Sequence, residues 1–109
     1  PLWRAPIEAV EAHIRAHHPG VAVRCAYLEL TTPDLPQAVE DLVDQGATAV
    51  TIVPMFLGTG KHAREDLPML VAELRARHPR VQVHVQAAIG EDPRMTALMA
   101  HIACTPPAQ

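Results

Sequence analysis

The strongest structural constraint in this sequence is the run Thr48–Val53, which is apolar on both faces if it is extended. A strand without a polar face must be covered on both sides, and such strands are typical of central positions in parallel sheets. Pro54 ends the run, and the segment that follows contains Gly58 and Gly60. We therefore predict a buried parallel strand that leads into a flexible loop.

Four helices are predicted from apolar residues that recur three and four positions apart. Their predicted bounds are about Arg4–His18, Asp34 to Gly46, Asp66 to about His78, and Asp92 onwards with Pro93 as the first helical residue. The tripeptide Asp-Leu-Pro occurs at Asp34–Pro36 and again at Asp66–Pro68. We predict that one capping arrangement begins both the second and the third helix.

Two further strands are predicted at Val21–Leu28 and Val81–Val85, the second at a sheet edge because its polar and apolar residues alternate. Helices and strands then alternate along the chain, which is typical of an α/β fold with an open parallel sheet and helices on both faces. We predict one domain over residues 1–104 and a disordered tail over residues 105–109. Because three strands make a thin sheet for this class, we also expect a leading central strand to be missing and residues to precede Pro1.

Composition excludes several classes of function. The net charge of −3 and the pI of about 6.1 argue against nucleic-acid binding, which needs clustered Lys and Arg. No apolar run approaches the roughly 20 residues that cross a bilayer. Cys25 and Cys104 form neither a metal motif nor a disulfide framework. We expect a cytoplasmic protein.

Two residues that could bind a metal follow neighbouring predicted strands. Glu29 ends the first strand and His62 lies beyond the second, so a parallel sheet would bring both to one edge. Imidazole with carboxylate suits divalent cobalt, iron, nickel or zinc. The alternatives stay open, since His62 could be a solvated loop residue and Glu29 a surface carboxylate or a helix cap.

A small positive patch lies beside His62. Lys61, the sole lysine of the chain, and Arg64 suit a ligand that carries carboxylates or phosphates, or they form an ordinary solvated loop. The loop is not a nucleotide-binding P-loop, because no Ser or Thr follows the lysine. His13 and His17 have a spacing that can chelate a metal, but a role at the end of a helix is the better interpretation.

The chain resembles the sirohydrochlorin chelatases, class II chelatases of the CbiX and SirB kind, from about Pro1 to Ile102. The segments that carry the resemblance are YLEL, VTIVPMFLGTGKHAREDLP and AAIGEDPRM, in the order that the family has them. The resemblance implies a chelatase-like, flavodoxin-related fold. It also implies that His62 is the second metal-contacting histidine and that Glu29 is the active-site carboxylate. The family's other histidine ends a leading strand, which would lie before Pro1.

The resemblance further implies a lyase that inserts cobalt or iron, and in some members nickel, into sirohydrochlorin for cobalamin or siroheme biosynthesis. The metal is then a substrate, and no permanently bound cofactor is expected. Substrate-binding residues would be Gly58, Gly60, Lys61 and Arg64. The expected partners are the tetrapyrrole, a divalent ion and a second copy of the chain, with no membrane or nucleic acid. The alternative function is a non-catalytic metal or tetrapyrrole carrier with the same fold.

Overall fold

The computed structural model describes residues 4–28, 31–58 and 60–105, and at His62 it describes the backbone alone. The elements in chain order are α1 (Ala5–His17), α2 (Leu35–Asp44), β1 (Ala49–Ile52), α3 (Lys61–Arg77), β2 (Gln82–Val85), a 3₁₀ turn (Ile89–Glu91) and α4 (Pro93–Cys104). β1 and β2 pair in parallel, with Val50 opposite Val83. The predicted α/β class is confirmed, whereas helices on both faces stay a prediction. Beyond Thr105, the predicted tail lies outside the described residues.

The bounds of α2 follow from its flanking residues. Asp34 Oδ1 accepts a hydrogen bond from the Gln37 N–H at 2.9 Å, and Gln37 Oε1 accepts one from the Asp34 N–H at 3.2 Å. These reciprocal bonds satisfy two N–H groups that a helix start leaves without internal partners. After the helix, Gly46 has φ 101°, a conformation that favours glycine. The prediction for this helix is confirmed at both ends.

The prediction that Asp66 begins the third helix is wrong. α3 begins at Lys61, with Gly60 as its N-cap, so that Pro68 lies inside the helix. An interior proline costs about 3 kcal/mol because it removes one helix hydrogen bond and crowds the carbonyl four residues earlier. The apolar face of α3 offsets this, since Leu74 is buried in the core cluster and Leu67 packs against that cluster.

The prediction that Val21–Leu28 forms a strand is also wrong. Residues 22–26 form no regular secondary structure, and one isolated bridge at Tyr27 is the sole pairing in this segment. A strand needs a neighbour with which to form its ladder of hydrogen bonds. Within the described residues, the sheet consists of β1 and β2, which pair with each other.

Side chains of α1 bind the backbone of this segment instead. Arg15 Nη2 donates to the Val23 carbonyl at 2.8 Å. The Cys25 N–H donates to Glu11 Oε2 at 3.1 Å. The segment that should have paired with the sheet is therefore attached to a helix, and a gap separates it from β1.

Asp92 is the N-cap of α4, and Pro93 is the first helical residue, as the sequence predicts. Asp92 Oδ2 accepts from Arg94 Nη2 at 2.7 Å, and Asp92 Oδ1 accepts from the Arg94 N–H at 2.8 Å. The side-chain bonds from Arg94, followed by its backbone bond, lower the pKa of Asp92 from 3.8 to about 2.

We expect Arg94→Ala to raise the pKa of Asp92 towards 3.8, because the side-chain bonds are lost and the backbone bond stays. A depressed pKa stabilises the fold above the ordinary value of 3.8, and this contribution is lost as the pH falls through about 2. A carboxyl NMR titration measures the shift, with Arg77→Ala as a control at another helix end. An unchanged pKa of Asp92 in Arg94→Ala would contradict this cause.

Candidate functional site

A groove of about 1190 Å³ separates residues 21–28 from β1. Most of its lining is aliphatic, and the lining comes from α1, residues 21–28, α2, β1 and the segment that follows β1. One end is formed by the loop after β1 and by the first turns of α3, where Lys61 and Asp66 line it. The groove is therefore mostly apolar, with Lys61 and Asp66 where the predicted site lies and Glu11 and Arg24 elsewhere in the lining.

The predicted substrate-binding residues divide between two recesses. Gly58, Gly60 and Lys61 line the groove. Arg64 instead lines a smaller pocket of about 360 Å³, next to Pro68. The two cations that the sequence places in one patch thus lie beside different cavities.

Glu29 lies outside the described residues, as does the side chain of His62. Their chain neighbours line the same groove, with Leu28 and Thr31 on one side and Lys61 at the start of α3. That Glu29 and His62 share one end of the sheet stays a prediction, and the neighbouring residues are consistent with it.

The loop between β1 and α3 is attached to the 3₁₀ turn. The Ile89 N–H donates to the Pro54 carbonyl and the Gly90 N–H donates to the Phe56 carbonyl, both at 2.9 Å. A Cβ atom on Gly90 would overlap the backbone of the loop at Leu57. Close approach of the two backbones therefore requires glycine here, a role that sequence reasoning missed because it depends on a contact between distant segments.

We expect Gly90→Ala to lower the free energy of unfolding by about 1–3 kcal/mol, the usual cost of forcing atoms into a packed site. Gly20→Ala is the matched control, because a Cβ atom there has no heavy atom within 4 Å. Urea denaturation followed by circular dichroism measures both variants. Equal free energies of unfolding for Gly90→Ala and Gly20→Ala would mean that the loop between β1 and α3 moves aside without a loss of stability.

Cys25, His13 and His17 are not arranged to bind a metal. Burial, followed by the charge of Glu11, raises the pKa of the Cys25 thiol, which disfavours the thiolate that metals bind. The rings of His13 and His17 stack with centroids 4.0 Å apart, and the His17 Nδ1–H donates to the His13 carbonyl at 3.0 Å. Over the described ranges, no group of three His, Cys, Asp or Glu side chains could hold a metal ion. No helix in those ranges is long and apolar enough to cross a bilayer.

The family model CbiX matches residues 1–104 of this chain. The chain belongs to the CbiX family. This result confirms the resemblance that the sequence motifs indicate.

Relatives of this CbiX-family chain include named chelatases. A sirohydrochlorin ferrochelatase of Priestia megaterium is 36% identical over 73 residues, which are 67% of this chain and 27% of that protein. A CbiX protein structure from Marinobacter aquaeolei VT8 aligns with a TM-score of 0.71 and 30% identity, covering 89% of this chain and 81% of that one.

A third relative was solved with a metal. The sirohydrochlorin chelatase SirB from Bacillus subtilis subspecies spizizenii, in complex with cobalt, aligns with a TM-score of 0.64 and 28% identity. The alignment covers 86% of this chain and 42% of that one. The CbiX-family chain therefore spans less than half the length of the Priestia and Bacillus proteins.

Proposed function

We propose that this chain acts in a chelatase that inserts cobalt(II) or iron(II) into sirohydrochlorin, in cobalamin or siroheme biosynthesis. The observation that carries the proposal is the shared groove. Leu28 and Lys61, the immediate neighbours of Glu29 and His62, both line it. The family relationship to named chelatases supports sirohydrochlorin as the substrate.

Metal insertion exchanges two pyrrole N–H protons for one divalent ion. An incomplete ligand set of His62 and Glu29 would hold that ion and still release it to the pyrrole nitrogens, whereas a closed four-ligand site would retain it. Either His62 or Glu29 accepts one pyrrole proton as the ion enters the ring, and the second proton passes to the other group or to water. The metal is consumed as a substrate, with nickel as a further candidate.

The carboxylates of the substrate need cationic partners. Lys61 lines the groove and would pair with one of them, and Arg64 would reach a peripheral carboxylate from the adjacent pocket. At Gly58 and Gly60 no heavy atom lies within 4 Å of a would-be Cβ position. The backbone at these glycines would therefore admit the edge of the macrocycle.

We further propose that, in the natural protein, a strand from residues before Pro1 lies between residues 21–28 and β1. It would leave the part of the groove beside Gly58, Gly60 and Lys61 open to the substrate. Ala49 and Thr51 of β1 line the groove, and both are exposed. The apolar face of α1 is open beside it, with Val10 39% exposed. Such a strand would bring the family's other metal-contacting histidine to the groove. Intact-mass analysis of the gene product would exclude this strand by finding nothing before Pro1.

The test of function mixes the full gene product with sirohydrochlorin and cobalt(II) and follows the visible spectrum. Conversion faster than the spontaneous reaction is the expected result. Conversion at the spontaneous rate would overturn the proposal, and tight binding without conversion would favour the carrier. A homodimer and a cytoplasmic location are part of the same proposal, and sedimentation of the gene product tests the dimer.

A further inference from the structure

The two copies of Asp-Leu-Pro have different roles in this fold. Asp34 caps α2 by accepting a hydrogen bond from the Gln37 N–H at 2.9 Å. Asp66 lies inside α3, which begins five residues earlier at Lys61, so it cannot cap that helix. Aspartate is also a weak helix former away from the N-terminus. Its presence at position 66 is not explained by helix formation.

The surroundings of Asp66 suggest what it does. Its side chain is exposed and lines the groove at the end where α3 begins. It also follows His62 by four residues, and residues four apart on an α-helix lie on the same face. In helices with two metal-binding histidines, this spacing brings both side chains to one ion.

Glu65 provides a comparison within the same helix turn. It follows His62 by three residues, a spacing that also gives helical neighbours. Glu65 is exposed but does not belong to the described lining of the groove, whereas Asp66 does. A ligand inside the groove would therefore meet the carboxylate of Asp66.

We propose that Asp66 is a further metal-contacting residue, which binds the divalent ion together with His62 at this end of the groove. Carboxylate oxygen and imidazole nitrogen are compatible ligands for cobalt(II) and iron(II). The negative charge of Asp66 also reduces the repulsion that Lys61, on the same groove, exerts on a divalent cation. The choice of cobalt(II) or iron(II) as the ion rests on the proposed function. The position of Asp66 at the site rests on its place in the lining of the groove.

The test measures the dissociation constant for cobalt(II) alone, by visible absorption, on the full gene product. We expect Asp66→Asn to raise this constant by about tenfold or more, a typical loss when a metal site is perturbed. Glu65→Gln removes the same charge one residue away and should change the constant by less than about twofold, as for an exposed charge. Asp66→Glu should recover part of the affinity.

A second readout separates metal contact from a structural effect. In the insertion reaction, Asp66→Asn should lower kcat and raise KM for cobalt(II), with KM for sirohydrochlorin unchanged. Thermal unfolding by circular dichroism should match the wild type, since Asp66 is exposed. Equal cobalt affinity in wild type and Asp66→Asn would overturn the proposal, as would equal losses in Asp66→Asn and Glu65→Gln. Asp66-dependent cobalt binding in a protein that does not accelerate insertion would instead overturn the proposed function.

Discussion

His62→Ala should reduce the acceleration of cobalt(II) insertion by about 100-fold or more, the range in which acid–base groups contribute. In the proposed reaction His62 holds the ion and is, with Glu29, one of the two candidate bases for a pyrrole N–H, so alanine removes a metal ligand and one candidate base. The spontaneous reaction sets the lower limit of the measured rate. The measurement is the initial rate of the visible spectral change, at saturating cobalt(II) and sirohydrochlorin, with the full gene product.

The matched control for this prediction is His101→Ala. His101 is exposed near the end of α4, and it does not belong to the described lining of the groove. We expect the insertion rate of the His101→Ala variant to stay within about twofold of the wild type, because substitutions of exposed residues away from a site have small effects. A His62→Ala variant that keeps the wild-type rate would remove this residue from the mechanism and leave the proposed site without its central group.

Leu74→Ala should lower the free energy of unfolding by about 2–5 kcal/mol, the range measured for buried leucines. Leu74 is 2% exposed and packs with Leu35, Val39 and Val50, so its removal leaves a cavity where α3 meets α2 and β1. For a domain of this size, a loss of that magnitude is a large part of the total stability. Urea denaturation monitored by circular dichroism measures it.

Leu98→Ala is the same substitution at an exposed position on a helix. Leu98 is 48% exposed on α4, so we expect a loss below about 1 kcal/mol, because little buried surface is removed. If both variants lost the same stability, the core assigned to α2, α3 and β1 would be wrong. If Leu98→Ala lost more, α4 would be covered by a surface outside the described chain.

Short-range chemistry made much of the fold predictable from the sequence. The capping box at Asp34, the left-handed glycine at Gly46 and the aspartate–proline start at Asp92 each depend on residues within four positions of one another. That β1 belongs to a parallel sheet was predictable from its apolar composition, since such strands are typical of parallel sheets. The motifs around Glu29 and His62 were sufficient to indicate the family.

Contacts between segments that are distant in the sequence determined the features of the fold that the sequence did not predict. Asp-Leu-Pro caps a helix at Asp34 but lies within one at Asp66, because α3 starts earlier and its apolar face is held in the core. Val21–Leu28 has the composition of a strand, yet its backbone binds α1, because hydrogen bonds in a sheet require a neighbour that local sequence cannot supply. In the same way, Lys61 and Arg64 are three residues apart in the chain, and only the packing around α3 places them at separate recesses.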